Sequence, residues 1–120
     1  MQNSTNMRIL ELLRLLYERT DENHPATVSD IIAHLNGKGI LAVRQTVYAD
    51  TNALIDAGID IVVVKSTQNQ YFMGNRLFEY PELKMLTDAV ASSKIISATK
   101  SEELVQKLCR LTSLHQAKQL

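Results

Sequence analysis

The apolar pattern of this chain changes period at Gly58, and that change constrains the fold more than any other feature. Before it, Val43, Val47, Leu54 and Ala57 recur at helical spacing with Ile55 beside them, giving one side a core-facing stripe. The other side carries Arg44, Gln45, Tyr48, Asn52 and Asp56, mostly forked or amide side chains rich in hydrogen-bonding groups. Gly58 stands where a helix commonly ends on a left-handed residue. Beyond it, Ile59, Ile61 and Val63 alternate with Asp60, Val62 and Val64, a period of two rich in β-branched residues, which predicts a strand. Residues 66–70 read as a polar turn, and Tyr71, Phe72 and Met73 as a second strand ended by Gly74 and Asn75. A two-stranded ribbon is marginal alone, so this hairpin must lean on helices.

The preceding residues supply them. Ser4 or Thr5 can cap a first helix running to about Thr20, with Ile9, Leu12, Leu13, Leu16 and Tyr17 as its apolar stripe, widened by Leu10 and Leu15. Arg8, Glu11, Arg14 and Glu18 lie opposite at three- and four-residue spacings, read as solvated ion pairs. Residues 20–26 form a turn-rich loop. Thr27 and Asp30 outline a capping box for a short helix over 28–35 that faces inward through Ile31, Ile32 and Leu35. Gly37 and Gly39 end it. Ile40 and Leu41 are expected as an apolar plug before the central helix.

The expected fold is therefore mainly α with a small β-hairpin, a winged helix-turn-helix over 1–77 followed by a C-terminal two-helix appendage over 78–120. In the appendage, Pro81 suits a helix start, and a helix to about Ser92 carries Leu83, Leu86, Ala89 and Val90. A second helix starts near Ser101 and carries Leu104, Val105, Leu108 and Leu111, with Cys109 expected as a small buried hydrophobe. Residues 113–120 show no pattern. Two apolar faces on one small appendage leave area that favours a homodimer.

Charge sets a limit on function. The formal net charge of the 120 residues is zero, and residues 1–77 hold seven Lys/Arg against eight Asp/Glu. Any nucleic-acid affinity must come from local placement of charge, and a few phosphate contacts per copy argue for binding in pairs. Catalytic readings find no support: His24, His34 and His115 lack metal-ligand spacing, no acid pairs with a histidine and a nucleophile, and no glycine-rich phosphate loop follows a strand. No metal or cofactor is expected. The single Cys109 rules out an internal disulfide, and no apolar run approaches a membrane span; the polar first residues show no signal peptide, so a cytoplasmic place is expected.

Thr46-Val-Tyr48 with Asp50, then Leu54 and Ala57-Gly-Ile-Asp-Ile61, resembles the DNA-binding half of WYL-domain transcriptional regulators and, more distantly, DeoR-type winged helices. The stretch 81–90 and Lys100-Ser-Glu-Glu-Leu104 resemble the helical segment joining that half to an effector-sensing WYL domain. The likeness covers about residues 7–112. It implies a bacterial transcription regulator, dimeric, whose third helix reads double-stranded DNA through Arg44, Gln45, Thr46 and Tyr48, with Asp50 matching an acid typical of that helix. Two positions depart from the pattern: Ala49 stands where DeoR-type helices often carry Arg, and Thr51 where an apolar residue is common. An effector would act only through a sensor domain that these 120 residues do not contain, so they are expected to be the N-terminal part of a regulator or a short stand-alone relative.

The full set of candidate DNA-contacting residues adds Asn52 on the third helix, Thr27 and Ser29 at the start of the second, Lys38 in the turn between them, and Lys65, Gln68 and Asn69 in the wing. The competing reading is a winged-helix protein-interaction module without DNA binding, docking a partner through helices four and five.

Overall fold

The structure is a computed structural model, and it describes residues 4–120. The chain forms two units, residues 1–74 and 75–120. Among the described residues there are six helices and one three-stranded antiparallel sheet.

The first unit has the order α1 (Ser4–Arg19), β1 (Ala26–Thr27), α2 (Val28–Gly37), α3 (Arg44–Asp56), β2 (Ile61–Val64) and β3 (Gln70–Met73), the order of a winged helix. Ser4 and Thr5 lie inside α1 rather than capping it, and the residues before them lie outside those described. The core is built from Leu12, Leu15 and Leu16 of α1, Val28, Ile31 and Leu35 of α2, Val47 and Leu54 of α3, and Ile61, Tyr71 and Met73 of the sheet. Non-directional burial of this kind supplies most of the stabilisation.

Two helices of this unit end in the same way. After α2, Ile40 N–H donates to Leu35 O (2.9 Å) and Gly39 N–H to Asn36 O (3.0 Å), with Gly39 at φ +76°. After α3, Ile59 N–H donates to Leu54 O and Gly58 N–H to Ile55 O (both 3.0 Å), with Gly58 at φ +97°. Both are Schellman closures that satisfy the last carbonyls of the helix. The first carries α2 two residues beyond its expected end at Leu35, because Gly37 stays helical and only Gly39 takes the left-handed turn.

The sheet holds a strand that sequence periodicity did not mark. Residues Ala26 and Thr27 pair with Tyr71 and Gln70, so β3 is central in the order β1-β3-β2. Two residues are too few for alternation to register. The wing is further tied down by Thr20, whose buried Oγ1 accepts the Met73 N–H at 3.0 Å while donating to Leu16 O. The hairpin is therefore bonded both to the loop before α2 and to the end of α1.

The second unit contains α4 (Tyr80–Ser92), α5 (Ala98–Cys109) and a short α6 (Leu114–Ala117). Helix α5 starts three residues before Ser101, because Ser97 caps it by accepting the Lys100 N–H. Helix α6 corrects the reading of 113–120 as patternless: Ser113 caps it, and Thr112 donates to Gln116 Oε1 at 2.6 Å. Leu83 is fully buried, whereas no residue of α5 is, and Cys109 is half-buried rather than enclosed. No helix among the described residues is long and apolar enough to cross a membrane.

Candidate nucleic-acid interface

Helix α3 buries Val47, Asp50, Thr51 and Leu54, a stripe that is half polar. This corrects the expected apolar side: Val43, Ile55 and Ala57 are exposed, and so is Leu41 (84% accessible), which is no plug. Ile40 alone of that pair packs on the core. The two buried polar residues are each satisfied. Thr51 donates its hydroxyl back to Val47 O (2.9 Å) and Tyr48 O (3.0 Å), which lets a threonine occupy a position where an apolar side chain was expected. Asp50 accepts from Arg8 Nε at 2.5 Å and Nη2 at 3.1 Å, a forked pair joining the middle of α3 to α1. The Asp50 hydrogen bonds hold the Arg8 guanidinium above its ordinary pKa despite burial.

With that stripe turned inward, a spacing of 3.6 residues places Gln45, Ala49, Asn52 and Asp56 along the outward line of α3. Gln45, Ala49, Asn52 and Asp56 are all exposed. Arg44 and Tyr48 flank the line on one side; Arg44 is exposed, while Tyr48 is half-buried with its ring against the core. Thr46 flanks it on the other and uses its hydroxyl within the chain, accepting the Val43 N–H (3.0 Å) and donating to Val43 O (2.7 Å). Val43 is the N-cap and has no side-chain oxygen, so among the described residues no side chain caps the first amides of α3.

The other candidates sort into two groups. Exposed Lys65 in the wing, like Arg44, has no ion-pair partner among the described residues, and Asn69 is half-exposed beside it in the turn. Thr27, Ser29, Lys38 and Gln68 instead have partners within the protein. Thr27 Oγ1 accepts the Asp30 N–H while the Asp30 carboxylate accepts the Thr27 N–H. Ser29 N–H donates to Gln68 Oε1 at 2.7 Å, so the wing tip clasps the start of α2. Three amides at the α2 N-terminus are thus occupied, and a carboxylate stands among them; this disfavours a phosphate there. Lys38 Nζ lies 3.3 Å from Glu11, which also faces His34 Nε2 at 3.4 Å and Arg14 at 3.8 Å.

The expectation of solvated ion pairs does not hold for Arg8 and Glu11. They are half-buried and bind α1 to α3 and to the end of α2, respectively. A signal for the first was present: Asp50 lies three residues after Val47 and four before Leu54, in the inward sector, where an acid requires a cation. Burial pushes the Glu11 carboxyl up, but hydrogen bonds from Lys38 and His34 and the charges of Lys38 and Arg14 outweigh it and hold it below its ordinary value.

Among the described residues no group of His, Cys, Asp and Glu is arranged to hold a metal ion. Comparison with protein-family models, curated proteins and solved structures finds no match for this chain.

Proposed function

We propose that the first unit reads double-stranded DNA as a sequence-specific transcriptional regulator, with α3 in the major groove and two copies of the chain on one operator. The observation that carries this reading is the outward line of α3. Gln45 and Asn52 are exposed amides able to pair with adenine edges, Arg44 beside them suits guanine, and Ala49 between them is small enough for close approach and apolar enough to meet a thymine methyl. Exposed Leu41 and Val43, at the mouth of the same helix, add apolar surface of the kind that packs on sugars and methyl groups.

Asp56 faces the same way but in the last turn, so the N-terminal half of α3 is the end that enters the groove. Phosphate grip then falls to Arg44, the open first turn of α3, and Lys65 and Asn69 of the wing. With so few cations per copy, affinity depends on dimerisation. The resemblance to WYL-domain and DeoR-type regulators and a cytoplasmic place are consistent with this role.

A second reading rests on the other unit. Met85 is largely exposed and Leu114 and Leu86 are partly so, so the helices of this unit present apolar surface. If that surface docks another protein and α3 touches no DNA, the chain is an interaction module. Paired substitutions separate the two readings. Arg44→Ala with Gln45→Ala abolishes operator binding and leaves self-association intact if the first holds. If that pair is silent while Leu86→Asp or Leu108→Asp ends partner binding, the second holds.

A further inference from the structure

The buried face of α3 raises a question of orientation. Only Val47 and Leu54 are buried apolar side chains on this helix, with Tyr48 packing part of its ring. Apolar contact is non-directional and tolerates a small roll of a helix about its own axis. A contact with a base edge does not: useful geometry is held to about 0.5 Å and 10–20°. Side-chain tips ride about 5–6 Å from a helix axis, so a roll of about 15° carries them roughly 1.5 Å. Two apolar side chains on one stripe are a weak guard against such a movement.

We infer that the Arg8–Asp50 pair is the positioning device that fixes the roll of α3, and so sets which side chains face the bases. This inference rests on the DNA-reading role proposed above. The guanidinium is planar and meets the carboxylate through two nitrogens, at 2.5 and 3.1 Å, so the pair holds only over a narrow range of angles. It is shielded from competing water, with side-chain accessibilities of 16% for Arg8 and 6% for Asp50. It grips α3 at mid-length, between the two apolar contacts. Thr51 adds no hydrogen bond to this restraint, since its hydroxyl donates to the backbone of its own helix. Arg8 and Asp50 therefore act through Arg44, Gln45 and Asn52 without touching DNA.

The test uses the full chain, a duplex enriched from random DNA by the wild-type protein, and the same duplex with its central base pairs exchanged. Discrimination is the ratio of the two dissociation constants, read beside a thermal melt. Arg8→Met with Asp50→Leu replaces the ion pair by apolar side chains of similar length, an exchange that often leaves stability intact. The expected result is a cooperative melt, unchanged binding to the exchanged duplex, and discrimination lowered about tenfold. Asp50→Asn, which keeps shape but removes the charge, covers a double variant that fails to fold; it lowers discrimination about threefold. Wild-type discrimination in the folded double variant, or in Asp50→Asn when the double variant does not fold, overturns the positioning role and leaves DNA reading standing. A wild-type chain that enriches no sequence overturns both.

Discussion

The acid of α3 that faces the core carries the largest single-residue consequence. Removing its partner by Arg8→Ala leaves a carboxylate inside with no cation beside it, and breaking such a pair from one side costs about 3 kcal/mol. Chemical denaturation of wild type and variant measures this, and a loss under about 1 kcal/mol would mean the pair is solvated rather than buried. Glu11 gives a pH signature. Its folded pKa lies below the ordinary 4.5, so the stability it contributes is fully present above that value and is lost as pH falls through the folded pKa. Denaturation midpoints of wild type and Glu11→Gln, taken from pH 7 downward, should therefore converge below about pH 4.5. Gly58 tests the backbone: Gly58→Ala forces a β-carbon into φ +97° and costs about 1 kcal/mol.

At the scale of elements, the regular pieces were written plainly in the residues and the tertiary bonds were not. The change of period at Gly58 located both the end of α3 and the first wing strand, and Thr27 with Asp30 located the start of α2. These are local signals, carried within one or two turns of chain. What escaped was long-range or too short. The strand of Ala26 and Thr27 exists because β3 offers it a partner, and helix α6 is one turn that depends on its Ser113 cap. The side chains of Lys38 and Gln68 looked free for phosphate until the fold brought Glu11 and the Ser29 amide to them. Of the candidate interface, only the line of α3 and part of the wing turn remained open, because exposed polar side chains on a helix follow from its period alone. The wing's attachment makes its own prediction. Thr20→Val keeps the shape but strips the acceptor from the Met73 N–H, leaving a buried donor unsatisfied, for a loss of about 1–3 kcal/mol. Hydrogen exchange at the Met73 amide should quicken with it.

For the molecule as a whole, the balance of charge decides how binding must behave. A chain with zero formal net charge has no bulk field to draw it to DNA, so under the proposed DNA-reading role affinity would rest on Arg44, Lys65 and a few amides in each copy. With about −0.9 of slope for each phosphate neutralised, a dimer making two such contacts per copy should lose affinity with a slope of about −3 to −4 in log–log salt plots. That is shallow for a DNA binder, and under the proposed role it would place most of the discrimination in base contacts made by α3. Selection of bound sequences from random duplex DNA at two salt concentrations, run on the wild type and on Arg44→Ala with Gln45→Ala, tests this most directly. The account predicts an inverted repeat enriched by the wild type at both salts and lost in the variant; no enrichment, or the same repeat from both proteins, would contradict it.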